Sequence, residues 1–389
     1  MGRELVVLGA AFLLAGLLAR VARRVGLPII PVFIAAGMLV GPNTPGPVLI
    51  RHPEDLELLA AFGLIFLLFY LGLEFSLDDI TSGGSRLLAT AAVYLGLNIG
   101  GGLALGFAIG WGAEEALVIA GITGISSSAI VTKLLIELHR LDNPETKLIL
   151  GIIVIEDLFL ALYLAALSPI LGGADSAGEA ALLFAEGFAF LVVLFLVARY
   201  GTGIVGRVIG GADDEILTVL FVGFVLVIAG AAAELGVSDA IGAFMAGVVI
   251  AGTVAASRVE RLVLPLRDAF GAIFFFAFGL SIDPGDFRSV WQPALAAIAV
   301  SMVLAILAGF AAARINGLDR QAAVNISCSV LARGEFAVIL ATLAAAAGLD
   351  ERLVPFVGIY VLALAVASPI LAANSTRLAR LGPQRRRGR

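Results

Sequence analysis

Apolar runs long enough to cross a hydrocarbon layer, separated by short polar or Gly/Pro-containing breaks, recur along the whole chain. They predict about thirteen helical spans, at residues 4–22, 28–41, 56–75, 87–111, 115–138, 145–169, 179–200, 215–235, 238–254, 262–282, 288–313, 319–347 and 353–374. The first run ends in Arg20, Arg23 and Arg24 without a small-residue cleavage site, which predicts a retained helix rather than a removed signal peptide. With the N-terminus outside, Arg20, Arg23, Arg24, Arg86, Arg140, Lys147, Arg199, Arg207, Arg258, Arg261, Arg267, Arg314, Arg320 and the tail arginines fall on one side. Only Arg3, Arg51, Arg288 and Arg352 fall on the other. Basic residues concentrate in cytoplasmic loops, so the C-terminus is expected in the cytoplasm.

Composition agrees with the pattern. The 389 residues are 60% hydrophobic and 14% charged, with a mean hydropathy of +1.07, which excludes an ordinary soluble globule and predicts an integral membrane protein that is all-α and polytopic. The net charge of −5 says little about partners, because the charges sit mainly in loops. One cysteine, Cys328, rules out an intramolecular disulfide, and two distant histidines, His52 and His139, offer no zinc site. No cofactor is expected.

An internal echo runs at an offset of seven spans. Phe69-Tyr-Leu-Gly72-Leu73 in the third span reads against Phe276-Ala-Phe-Gly279-Leu280 in the tenth, and Ala36-Gly37 in the second against Ala246-Gly247 in the ninth. A repeat displaced by an odd number of spans has opposite orientation in the bilayer, the inverted-repeat plan of many secondary transporters. The competing explanation is that apolar helices share Phe and Gly by composition alone.

The candidate chemistry begins at Glu156 and Asp157, adjacent carboxylates near the middle of the sixth span. A charge at a helix centre costs roughly 2.5–3.5 kcal/mol on insertion scales, so an acid pair there implies a task. Adjacent helix positions point about 100° apart, which lets one acid bind while the other tunes it. Two carboxylates this close compete for ionisation, and a choice between proton and cation is physically reasonable.

The fifth and twelfth spans are the most interrupted by polar residues. Gly121, Thr123, Gly124, Ser126, Ser127 and Ser128 in one, and Asn325, Ser327, Cys328, Ser329, Arg333, Gly334 and Glu335 in the other, predict broken helices at membrane depth. Freed carbonyls and hydroxyls of two crossed breaks beside Asp157 would complete an ion site. The alternative for either span alone is serine back-bonding and glycine-mediated packing. Arg333 and Glu335 neutralise each other, or Arg333 holds the negative ends of the broken helices; either role is structural or electrostatic. Lys133, two turns past the serines, reads by default as a snorkelling lysine. Glu74, Asp78, Asp79, Asp283 and Asp286 mark solvated span ends, Ser238 and Asp239 are N-cap candidates, and Asn98 reads as an interhelical hydrogen bond.

The motifs Leu67–Phe75, Ile125–Val131, Asn143–Thr146, Ile155–Leu158, Pro265–Gly271, Phe276–Pro284 and Arg333–Phe336 together resemble the second cation:proton antiporter family, the monovalent cation/proton antiporters. The likeness runs in order through nearly the whole chain and is strongest to the branch formed by membrane subunits of bacterial potassium/proton antiporters. It implies a sodium/proton-antiporter-like fold that works as a homodimer by elevator movement. A dimerisation bundle would comprise residues 1–82 and 211–284, a mobile core residues 83–172 and 285–378, a linker helix residues 173–210, and a basic cytoplasmic tail residues 379–389. The essential aspartate of the family falls on Asp157, and its unwound crossing helices on Thr123–Ser128 and Ser329–Glu335. Electrogenic sodium-exchanging relatives carry a lysine in the eleventh span, and residues 289–313 contain none. Other relatives carry Gln before the aspartate and a C-terminal nucleotide-binding domain. This chain has Glu156 and ends at Arg389, so regulation is expected from a separate soluble cytoplasmic subunit.

The expected function is electroneutral exchange of cytoplasmic potassium for external protons across a bacterial inner membrane, without covalent chemistry and so without enzyme activity. Asp157 would alternate between proton and cation, with Thr123, Ser126, Ser127 and Ser128 finishing the cation's shell. A sodium/proton antiporter is the alternative within the class. A cation channel is the alternative outside it, disfavoured by an acid pair in place of a repeated carbonyl filter.

Overall fold

A computed structural model describes residues 2–24, 29–44, 48, 50, 53–74, 84–171, 185, 189, 192–194, 196, 200, 213–235 and 239–380. Among them the regular structure is helical. Helices α1 (Gly2–Arg24), α2 (Ile29–Val40), α3 (Glu57–Glu74) and α4 (Gly84–Ile109) are followed by the pair α5 (Ala113–Gly124) and α6 (Ser128–Glu137), then α7 (Thr146–Leu171). Next come α8 (Asp214–Glu234), α9 (Asp239–Ala251), α10 (Ala256–Ser281) and α11 (Phe287–Asn316). The pair α12 (Arg320–Ser329) and α13 (Glu335–Ala346) precedes α14 (Leu353–Ala373) and the short α15 (Ser375–Arg380).

Among the described residues, Pro53–Glu74, α4, α8, α10, Pro284–Asn316 and α14 are long and apolar enough to cross a membrane, and α2, α9 and α13 are shorter apolar helices. Most of the seventh expected span, the N-cap candidate Ser238, His52, Asp78, Asp79 and the tail beyond Arg380 lie outside the described residues; within that span the described positions 185, 189, 192–194 and 196 are helical. The other expected spans coincide with helices, the fifth and twelfth each as two halves. Turn chemistry fixes their ends. Gly110 ends α4 and Gly317 caps α11 in the left-handed region (φ 77° and 67°), a conformation that favours glycine.

The chain divides into two compact units. The first comprises residues 1–19, 33–77 and 159–281. Its core is α9, buried from Ala240 to Ile250, with α3 packed against both α9 and α10. Lipid tails are as apolar as leucine, so helices in a bilayer associate through close backbone approach at small residues. That approach occurs twice in one pattern. A Cβ at Gly37 would overlap the Phe276 carbonyl oxygen, and one at Gly279 the Ile34 carbonyl oxygen; a Cβ at Gly247 would overlap the Phe69 carbonyl oxygen, and one at Gly72 the Phe244 carbonyl oxygen. The echo motifs of the sequence are the two copies of one reciprocal helix contact. Phe69 stacks on Phe221 of α8 with centroids 5.9 Å apart, and Phe62 meets Phe270 edge-on at 5.9 Å.

The second unit comprises residues 20–32, 78–158 and 282–389. Here a repeated contact appears again: Gly102 and Gly309 stand at the offset that relates 69 to 276 and 72 to 279, and their partners Thr123 and Ser327 are three residues closer. Gly102 of α4 admits the Thr123 side chain of α5, and Gly309 of α11 admits the Ser327 side chain of α12. Each of these hydroxyls back-bonds to the carbonyl four residues earlier, Thr123 to Ile119 at 2.9 Å and Ser327 to Ala323 at 2.8 Å. Gly247→Val should drive two methyls into the α3 backbone. We expect a loss of about 1–3 kcal/mol, read as a lower unfolding temperature of the purified protein, while Gly9→Val, where a Cβ meets nothing within 4 Å, leaves it unchanged.

Candidate ion site

Both breaks lie where the sequence weakens the helix. Helix α5 stops at Gly124, Ile125 and Ser127 take extended conformations, and α6 starts with Ser127 as N-cap, its Oγ accepting from the Ile130 N–H at 3.3 Å. Helix α12 is capped by Asp319, whose Oδ1 accepts from the Ala322 N–H at 2.9 Å. It stops at Ser329, and α13 starts after Gly334. The breaks touch: the Ser127 N–H donates to the Ala332 carbonyl at 2.9 Å. A Cβ at Gly334 would sit 2.6 Å from Ser127 Oγ, so glycine is what permits the crossing.

Four helix ends therefore meet inside the second unit, and side chains complement their dipoles. Arg333, with no exposed surface, donates through Nη2 to the Thr123 carbonyl at 2.7 Å and through Nη1 to the Val330 carbonyl at 2.7 Å and the Ala332 carbonyl at 3.2 Å. A cation thus serves the negative ends of α5 and α12. Glu335, the first residue of α13, accepts from Ser127 Oγ at 2.5 Å and from Ser128 Oγ at 3.3 Å, placing an anion at the positive ends of α6 and α13. Lys133 is half-buried on α6.

Helix α7 brings the acid pair to this crossing. Glu156, fully buried, accepts from the Ser126 N–H at 3.1 Å on one oxygen and from Ser126 Oγ at 2.5 Å on the other. Asp157 is 6% exposed on the same turn. The Thr123 hydroxyl has one proton, with the carbonyls of Ile119, Ala120 and Asn98 in reach at 2.9, 3.1 and 3.3 Å, and Ile119 the nearest. The serine and threonine protons are thus directed at other acceptors, and a hydroxyl oxygen whose proton is so used keeps lone pairs for a cation. Among the described residues no cluster of His, Cys, Asp and Glu has metal-binding geometry.

Sequence reasoning missed Tyr94 and Glu145, and read Asn98 only as an interhelical hydrogen bond. Tyr94 of α4 is buried, and its hydroxyl donates to the Val330 carbonyl at 3.2 Å; it lies among apolar residues with nothing local to mark it. Asn98 shares that face, its carbonyl in reach of the Thr123 hydroxyl and its Oδ1 lying 3.5 Å from Arg333 Nη2. At the start of α7, buried Glu145 accepts from Asn325 Nδ2 at 2.6 Å and Asn143 Nδ2 at 2.9 Å, while Arg140 Nη2 donates to the Ala372 carbonyl and Ser375 Oγ, both at 2.9 Å. Burial lowers the pKa of Arg140, and Glu145 opposes that shift.

The chain is 40% identical over 380 residues to the K(+)/H(+) antiporter subunit KhtU of Bacillus subtilis (strain 168), covering 96% of this chain and 94% of that protein. It is 28% identical to the ammonium/H(+) antiporter subunit AmhT of Alkalihalophilus pseudofirmus, covering 88% and 87%. In fold it matches the sodium proton antiporter MjNhaP1 of Methanocaldococcus jannaschii with a TM-score of 0.74 over 97% of this chain and 98% of that one, at 17% identity. The profile described as "Sodium/hydrogen exchanger, transmembrane" matches residues 9–373, and with the identity to KhtU this places the protein in the sodium/hydrogen exchanger family of integral membrane proteins, within its cation:proton antiporter-2 branch.

Proposed function

We propose that the protein is a secondary active monovalent cation/proton antiporter that exchanges cytoplasmic potassium for external protons. The observation that carries this reading is the buried Glu156–Asp157 pair held against two crossed helix breaks whose end charges are already balanced by Arg333 and Glu335. Asp157, buried one position beyond Glu156 on α7, is the carboxylate we assign to exchange one cation for another. Proton and cation compete for it, and that competition couples the fluxes. Ser126 ties Glu156 to the first break, so Glu156 organises the site while Asp157 carries. Hydroxyl oxygens of Thr123, Ser126, Ser127 and Ser128 and break carbonyls complete the cation's shell. Potassium is favoured over sodium by the resemblance to KhtU along the whole chain.

The site residues all belong to one compact unit, which supports an elevator cycle with that unit as the moving core and the other as the dimerisation bundle of a homodimer. KhtU is named a subunit, and we take a separate soluble cytoplasmic protein as the regulator. The test is proton flux in liposomes across several cations. Potassium should give the largest signal; absence of any cation-dependent proton flux, or current without proton coupling, would refute antiport. One exchanging carboxylate implies one cation per proton. Glu156→Gln should therefore remain active though slower, with no sustained current on a solid-supported membrane. A potassium-gradient-driven current that disappears in Glu156→Gln would show that both acids carry charge.

A further inference from the structure

The two breaks touch at one backbone hydrogen bond, from the Ser127 N–H to the Ala332 carbonyl at 2.9 Å, and a third helix contacts both of them from the side. Helix α4 runs uninterrupted from Gly84 to Ile109 beside both. One turn apart on its buried face are Tyr94 and Asn98, 1% and 0% exposed. Tyr94 reaches the second break, its hydroxyl donating to the Val330 carbonyl at 3.2 Å. The Asn98 side chain reaches the first break through Arg333: its Oδ1 lies 3.5 Å from the guanidinium Nη2 that holds the Thr123 carbonyl at 2.7 Å. Asn98 is itself fixed to the helix, its Nδ2 donating to the Tyr94 carbonyl at 2.9 Å. Close packing locks α4 to α5, since a Cβ at Gly102 would overlap Thr123 Oγ1 and one at Gly106 would sit 2.5 Å from Ala116 Cα.

We propose that Tyr94 and Asn98 form a ruler on α4 that sets the spacing between the two helix breaks and thereby the cation size the site prefers. Both are positioning residues, Tyr94 acting through the Val330 carbonyl and Asn98 through the Arg333 guanidinium that holds the Thr123 carbonyl. The proposal rests on the reading that the breaks and Asp157 hold the transported cation. The separation of the two anchors along a rigid helix is about 6 Å, and cation preference depends on cavity size and on the number of oxygens presented. The Val330 carbonyl also accepts from Arg333 at 2.7 Å, so losing the Tyr94 hydroxyl loosens the second break without orphaning its carbonyl.

The experiment is proton-coupled uptake in liposomes with sodium, potassium and rubidium in parallel, on the full chain carrying Tyr94→Phe, Asn98→Ala or Asp157→Asn. Tyr94→Phe should unfold at the wild-type temperature, keep exchange, and change the sodium-to-potassium or rubidium-to-potassium ratio of apparent KM at least threefold. Asn98→Ala should move the same ratios. If Tyr94→Phe and Asn98→Ala lower the rates for all three cations by one common factor, or change nothing, the ruler is refuted and the two residues serve packing only. Should either variant fold poorly, the ratio is still read on the folded fraction, because it is independent of the amount of protein. Asp157→Asn separates the two readings. Exchange persisting in Asp157→Asn overturns the site itself, whereas its loss together with unchanged ratios in Tyr94→Phe overturns the ruler alone.

Discussion

Asp157→Asn is expected to insert and fold as well as the parent and to lose exchange down to the level of empty liposomes. Amide for carboxylate removes an intramembrane charge whose placement costs roughly 2.5–3.5 kcal/mol, so the lesion does not fall on insertion. It falls on chemistry: an amide takes up neither a proton nor a monovalent cation in competition with one. Because Glu156 is engaged on both oxygens by Ser126, it does not substitute for its neighbour. Size-exclusion profile and unfolding temperature check the fold, and potassium-dependent proton flux checks the function. Flux retained in correctly folded Asp157→Asn would end the assignment.

The second large effect is expected at Arg333. Replacing it by Met leaves the Thr123 and Val330 carbonyls without their charged donor at the ends of α5 and α12, and removes the positive charge of Arg333 from the surroundings of Glu156. Breaking a compensated buried charge system in this way costs about 3–5 kcal/mol. Arg333→Met should therefore unfold at a much lower temperature and show no exchange. Arg333→Lys keeps the charge but replaces a fork that spans two carbonyls by a single ammonium, and should recover most of the stability and only part of the flux. Wild-type stability in Arg333→Met would show that the helix ends are satisfied in another way.

Much of this protein is legible in its sequence because a bilayer leaves few choices. With no water to satisfy backbone groups, an apolar run must be a helix, and the spans follow from hydropathy alone. The same constraint marked the candidate site: carboxylates in the middle of α7 and clustered glycines and hydroxyls in the fifth and twelfth spans are costly at membrane depth, so they stood out. The echo between Phe69–Gly72 and Phe276–Gly279 was visible as well, though as letters only.

The tertiary structure decided what those letters do. It showed that Gly37 with Gly279 and Gly72 with Gly247 are one reciprocal contact made twice, which depends on backbone distances that no single-span pattern encodes. It showed that Arg333 and Glu335, two residues apart, serve opposite helix ends: Arg333 holds the carbonyls of Thr123 and Val330, and Glu335 accepts from Ser127 and Ser128. And it drew in Tyr94, which sits 236 residues from its partner Val330 and carries no local signal. Hydropathy is a property of each stretch of chain and so is written in the sequence. The matching of donors to helix ends is a property of how distant stretches cross, and it exists only once α4, α5, α7 and α12 have met.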